Sequence, residues 1–166
     1  MIINRVWAMP NKNTFDVKPI GLFVKKYLLN AAISVDPFAR DSKLATYTND
    51  LNPETSAQFH MDAVDFLKKL YDDGVQADLI LLDPPYSLHQ VTKSYDGYGD
   101  KRVIALTPVY DYASKIISKN GFILNFGFNT NGIGGKRGFE IDEILLVAHG
   151  GHHNDTICMA EKRKAT

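Results

Sequence analysis

The chain has almost no cysteine. Cys158 is the only one in 166 residues, so no internal disulfide can form, which fits a reducing compartment. It also has no excess of either charge. Lys plus Arg and Asp plus Glu both number 19, giving a formal net charge of zero. A contact-rich nucleic-acid clamp would usually carry a basic excess, so the balance argues against tight electrostatic wrapping and leaves a local patch open. Long apolar runs are missing too. Leu79–Leu82 and Ile144–Ala148 are the longest aliphatic stretches, far below the roughly 18 residues a spanning helix needs. Met1–Pro10 carries one charge, Arg5, and no long apolar stretch, so it does not read as a secretory leader. Repeats and low-complexity tracts are absent as well.

What remains is ordinary globular material, 45% hydrophobic and 23% charged. The length suits one domain spanning 1–166, with residues 1–16 set off as an N-terminal arm because Asn11–Asp16 is polar and turn-like. From Lys18 to Asn30, Ile20, Phe23, Val24, Tyr27 and Leu28 recur at helical spacing, with Pro19 in the first turn. Short apolar strands are expected at Ala32–Val35, Ala45–Thr48, Ala57–Met61, Asp78–Leu82 and Phe122–Phe128. Ile141–Ala148 and Thr156–Ala160 read as a closing pair. Ala63–Tyr71 and Val103–Ser118 read as helices, the second starting late or breaking at Pro108 and closed by Asn120-Gly121.

Strands interleaved with helices predict an α/β fold built on a mainly parallel sheet. Asp36, Asp50, Asp62 and Asp83 each follow a predicted strand, so a parallel sheet brings all four to one rim, where ligands of such folds bind. The gaps from Asp36 to Ala45 and from Asp50 to Ala57 are too short for helical crossovers. Either those connections are non-helical or one strand is misplaced.

Chemistry concentrates in Leu79-Ile80-Leu81-Leu82-Asp83-Pro84-Pro85-Tyr86-Ser87. A buried strand runs into two prolines, which stiffen the exit and remove two N–H donors. Asp83 adds a carboxylate, the proline carbonyls add acceptors and Tyr86 adds a flat ring. Acceptors beside a stacking surface suit a planar group bearing an amine. This segment resembles the catalytic motif of the amino-methyltransferases of DNA, and the closest likeness is to the small adenine methyltransferases of phages and prophages. The resemblance implies that Asp83 and the Pro84 carbonyl accept from the target amine, with Pro85 shaping the loop and Tyr86 stacking on the base. It implies S-adenosylmethionine as cofactor. Lys18-Pro19 before a helix, then Asp36-Pro37-Phe38 at a strand end, look like the family's cofactor segments. Asp50 falls where the family holds ribose hydroxyls, and Asp62 near the cofactor's adenine.

The implied fold is the Rossmann-like S-adenosylmethionine-dependent methyltransferase type, single-domain, with a C-terminal antiparallel hairpin. The implied partner is DNA, held weakly or with help from a second protein. A homodimer stays open, no membrane is involved, and the compartment is the cytoplasm of a bacterium or phage-infected host. No metal is required. His149, His152, His153, Asp155 and Cys158 match no zinc spacing and read as a turn between strands.

Two departures keep alternatives open. The family continues Asp-Pro-Phe-Ala with Gly-x-Gly, whereas this chain has Arg40-Asp41-Ser42-Lys43. Only His89–Gly99 follows the motif as a substrate loop. The rivals are therefore a methyltransferase acting on RNA, on cytosine or on a protein glutamine, and a non-catalytic binding protein that keeps the fold.

Three features have two readings each. Lys93, Tyr95, Tyr98, Lys101 and Arg102 suit either stacking with phosphate contact or a solvated loop. Lys136-Arg137, within the glycine-rich 132–138 segment, reads as a surface hairpin tip sooner than a phosphate contact. Trp7, with Met9 and Pro10, either covers the cofactor or packs in the core.

Overall fold

The computed structural model describes residues 1–85, 105–151 and 153–165. Tyr86, Ser87, the substrate-loop residues 89–99, Lys101, Arg102 and His152 lie outside the described residues. The strands are β1 (Ile2–Trp7), β2 (Ser34–Asp36), β3 (Tyr47–Thr48), β4 (Ala77–Leu82), β5 (Ile117–Gly127), β6 (Phe139–Ala148) and β7 (Thr156–Arg163). The helices are α1 (Lys18–Leu28), α2 (Ala63–Asp72) and α3 (Leu106–Ile116).

All seven strands share one sheet, in the order β1-β6-β7-β5-β4-β2-β3. The β1–β6, β2–β3, β2–β4 and β4–β5 pairings are parallel. β7 runs antiparallel to both β5 and β6. The expected α/β sheet with a C-terminal antiparallel hairpin is thus the observed one.

β4 shows why the centre holds. Its side chains alternate between the two faces, and both faces are covered. Leu79 and Leu81 pack with Ile20, Phe23 and Val24 of α1. Ile80 and Leu82 pack with Phe66, Leu67 and Leu70 of α2 and with Val109 and Ala113 of α3. Burying each such large side chain contributes about 1.5–3 kcal/mol. This two-sided burial makes Leu79–Leu82 of β4 an apolar run without polar alternation, and it delivers Asp83 to the rim in fixed register.

Three expectations need correction. Residues 2–7, placed in an arm, form edge strand β1, in register with Glu143–Ala148. Its side chains are mostly exposed, so they carry no core-facing alternation. The strand expected at 57–61 shrinks to one bridge, Asn49 to Phe59. Asn49 supplies the rest of the support: its Oδ1 accepts from Met61 N at 3.1 Å and its Nδ2 donates to Met61 O at 3.0 Å. Asn120-Gly121 does not close α3, which ends at Ile116, but lies within β5. The β4–β5 register shifts between Ala77 and Leu79, taking up the extra residues there. Pro108 behaves as expected, since α3 begins at Leu106 and Pro108 sits in its first turn. The short connection from β2 to β3 is non-helical, resolving one of the two tight gaps.

Trp7 is neither core nor cover: it is 64% exposed on β1. The glycine-rich segment is anchored from below by Glu161, which accepts from Ile133 N at 2.8 Å, Gly134 N at 3.0 Å and Asn125 Nδ2 at 2.8 Å. Gly132 has φ +49°, and a Cβ there would meet Glu161 at 2.2 Å. Arg137 reaches Asp111 at 2.7 Å and the carbonyls of Ile133 and Thr107, so it ties the loop to α3. Lys162 and Arg163 at the tail are engaged too, with Asp142 and the Ser114 carbonyl.

Candidate active site

The carboxyl ends of β2, β3 and β4 meet a short 3-10 turn, Thr14–Asp16, that leads into α1. Gly21 lets α1 lie against that turn, since a Cβ there would come within 2.6 Å of the Phe15 carbonyl. Between them lies a cleft of about 800 Å³. A second cavity of about 670 Å³ lies toward the hairpin turn and is lined by Pro84, Pro85, His149, His153 and Asn154. Lys12, Thr14, Phe38, Arg40 and Asp83 line both. Asp83 therefore stands at the seam of two adjoining cavities.

The sequence-predicted residues divide into three groups. Lys18, Phe38, Asp83, Pro84 and Pro85 line one or both cavities. Asp36, Pro37 and Asp50 are buried just behind them, and Pro19 lies in the first turn of α1; none of these four is among the lining side chains. Asp62 stands apart as the N-cap of α2, its Oδ1 accepting from Val64 N at 2.8 Å. That is the ordinary service of an aspartate before a helix.

The electrostatics follow from burial. Asp83 is pushed up to about 6 by desolvation, against the pull of the Thr14 hydroxyl and the Arg40 guanidinium. It is a carboxylate at neutral pH. Asp36 is pushed up to about 8, again first by burial, with the charges of Asp83 and Asp50 adding to it. Its Oδ1 accepts from Phe38 N at 3.0 Å, while its Oδ2 is buried with no partner among the described residues. Asp50 is also raised by burial, yet both its oxygens are committed: Oδ1 to Asn52 N at 2.9 Å and Oδ2 to Arg40 N at 3.0 Å. It anchors the loop from 37 to 43.

Arg40 holds the position where the resembled motif has glycine, and its φ is +51°. The backbone keeps the left-handed conformation that glycine takes freely, at a cost of roughly 1–2 kcal/mol for an L side chain. The Arg40 guanidinium donates to the Lys12 carbonyl at 3.2 Å.

Sequence reasoning missed Lys12 and Thr14 as cavity residues. Nothing in a polar turn announces that it folds back over a strand end. It also did not place the hairpin turn at the second cavity. There His149 is structural: Nδ1 meets the Ala8 carbonyl at 2.8 Å and Nε2 meets Thr156 Oγ1 at 2.9 Å.

The cleft is lined by carboxylates (Asp16, Asp41, Asp83) and by ammonium groups (Lys12, Lys18, Lys25, Lys43). That donor set fits a zwitterionic ligand with an amino-acid portion, and the volume lies within the roughly 300–1,000 Å³ usual for small-molecule sites.

No family model matches the chain, and no curated protein matches it. Solved structures do. A SAM-dependent methyltransferase from Agrobacterium tumefaciens aligns at 12% identity with a TM-score of 0.55, over 86% of this chain and 60% of that one. TrmN from Thermus thermophilus aligns at 15% identity with a TM-score of 0.56, over 89% and 49%. A protein assigned as a methyltransferase and complexed with SAH aligns at 13% identity with a TM-score of 0.53, over 84% and 48%. The chain thus spans about half to three-fifths of the length of these proteins. At such identities the likeness concerns architecture, and the fold is the one these SAM-dependent methyltransferases share.

Proposed function

We propose that this chain binds S-adenosylmethionine in the 800 Å³ cleft and transfers its methyl group to the exocyclic amine of adenine in DNA. The observation that carries the reading is the position of Asp83-Pro84-Pro85. It leaves the central strand at the carboxyl rim, where the cleft and the second cavity meet. One cavity suits the cofactor, the other the target, and Asp83 faces both.

Lys18 and Phe38 would line the cofactor side, with Asp36, Pro37, Asp50, Pro19 and Asp62 in the supporting roles the resemblance assigns. The cofactor supplies an electrophilic methyl group. An aromatic amine is a poor nucleophile because its lone pair is delocalised into the ring. Asp83, charged at neutral pH, and the Pro84 carbonyl would accept hydrogen bonds from the two amine N–H groups, favouring a pyramidal nitrogen that can attack the methyl carbon; the N–C bond would form as the sulfonium C–S bond breaks to leave the thioether, and the nitrogen would then lose one proton to solvent. Tyr86, outside the described residues, would stack on the base. Fixed orientation of the two reactants does most of the rest. A base in a duplex must first be flipped out, at a cost of a few kcal/mol.

The test is to incubate the protein with methyl-labelled S-adenosylmethionine and unmodified DNA or RNA in parallel, then digest to nucleosides. Labelled N6-methyl-2′-deoxyadenosine from the DNA pool alone is the expected result. Label in RNA, in cytosine or on a protein glutamine would replace the substrate. No label from folded protein would turn the reading to a binding protein that keeps the fold.

A further inference from the structure

β1 is a sheet edge left open. Among the described residues it pairs with β6 on one side and with no strand on the other. The opposite edge, β3, is only Tyr47–Thr48, too short to extend the sheet. β1 runs for six residues with no proline and no bulge, two of the devices that blunt an edge, and its one charge is Arg5.

The backbone of β1 has a fixed outward face. Ala8 N–H donates to the Ala148 carbonyl at 3.0 Å, and along a parallel ladder alternate residues bond the same neighbour. Asn4, Val6 and Ala8 therefore direct their backbone groups to β6, while Ile3, Arg5 and Trp7 point theirs away from it. Val6 and Ala8 also pack with the cluster under α1, so the side chains of Ile3, Arg5 and Trp7 share the opposite face. Half of the large apolar side chains exposed among the described residues lie in this segment: Met1, Ile2, Ile3, Trp7 and Met9, each 56–76% exposed.

We infer that β1 is the contact surface for a second copy of this chain, whose own β1 pairs with it antiparallel across a two-fold axis and continues the sheet. The occupant of an open edge is a strand, because a strand matches its row of donors and acceptors. The sequence of β1 favours its own copy. An axis through Arg5 sets two guanidinium groups opposite each other, which is repulsive. An axis through Val6 sets Arg5 opposite Trp7 of the second copy and Ile3 opposite Met9, pairing each cation with an indole and each aliphatic side chain with another. The five exposed apolar side chains leave on the order of 600 Å² per copy in solvent, approaching the roughly 800 Å² per partner of a standard interface before backbone and Arg5 are counted. The two-fold turns the carboxyl rims of the two sheets to opposite ends, so each cleft belongs to one copy and the inference stands apart from the proposed methyl transfer.

The experiment is sedimentation velocity on the whole chain from about 1 to 200 micromolar, with Trp7 emission read over the same range. Trp7 is the only tryptophan, so tryptophan emission reports on β1 alone. The expected result is a monomer–dimer equilibrium, with emission moving to shorter wavelength as the dimer forms and water leaves the indole. Arg5→Pro removes an outward N–H and leaves the bonds to β6 intact. Trp7→Lys sets a cation opposite Arg5. Each folded variant, checked by an unchanged far-ultraviolet circular dichroism spectrum, should weaken association tenfold or more. A monomer throughout the range overturns the inference. So does a dimer whose Trp7 emission is unmoved, or one that either folded variant leaves at wild-type strength, since its contact then lies elsewhere.

Discussion

Glu161 Oε2 accepts a hydrogen bond from Asn125 Nδ2 at 2.8 Å, joining β7 to β5 at the carboxyl rim of the sheet. The same carboxylate takes the N–H groups of Ile133 and Gly134, so one buried side chain fixes two strands and a loop. Glu161→Ala leaves three donors without their acceptor in a dry site. We expect a loss of about 3 kcal/mol, read by chemical denaturation. Lys136→Ala, on the same loop but outside this network, should stay within about 0.5 kcal/mol. Equal effects from the two would show that Glu161 does not organise the loop.

Asp36 gives the protein an unusual dependence on pH. Its native pKa, near 8, lies above the ordinary 3.8, so between those values the native state holds a proton that the unfolded chain has lost. Stability is therefore full below about pH 4 as far as Asp36 is concerned, and it falls as pH rises toward 8, by up to roughly 1.4 kcal/mol per pH unit. Asp83, raised to about 6, acts in the same direction over the lower part of that window. Asp36→Asn mimics the protonated form. It should flatten the profile between pH 6 and 8 and be more stable than the wild type at pH 9. A variant that keeps the full wild-type slope would show that Asp36 titrates normally.

The left-handed backbone at residue 40 has a measurable cost. Arg40→Gly and Arg40→Ala both delete the guanidinium, so their difference isolates the conformation. Glycine should be the more stable by about 1 kcal/mol in denaturant unfolding. Equal stabilities would mean that the turn rearranges once the arginine is gone.

Asp62 carries a smaller and separate load. Removing its cap to Val64 should cost about 1 kcal/mol. Thermal unfolding of Asp62→Ala and Asp62→Asn checks this, since asparagine caps nearly as well and should recover most of the loss.

The parts of this fold legible in the sequence are those where burial and chemistry coincide. β4 is apolar from Leu79 to Leu82 because both faces are covered, and Asp83-Pro84-Pro85 ends it where proline cannot continue a ladder. α1 shows its helical stripe because Ile20, Phe23, Val24 and Tyr27 all enter one core. β1 was not legible as a strand, because Ile2 and Ile3 are over half exposed at a sheet edge. The false strand at 57–61 has the right residue types. It lacks a ladder because Asn49 fastens Met61 by its side chain instead. At the site, the four acids were legible as a set, but their roles were not. Spacing cannot tell that Asp50 turns both oxygens on its own loop, or that Asp62 caps a helix. The contribution of Lys12 and Thr14 depends on a chain reversal that leaves no local mark.

The most direct measurement pairs calorimetric titration of S-adenosylmethionine with the labelled-methyl assay, on the wild type and on Asp83→Ala. The account predicts micromolar binding by both proteins, with transfer to DNA by the wild type and none by the variant. A wild type that binds the cofactor only at millimolar concentration, or an Asp83→Ala variant that transfers methyl unimpaired, would contradict it.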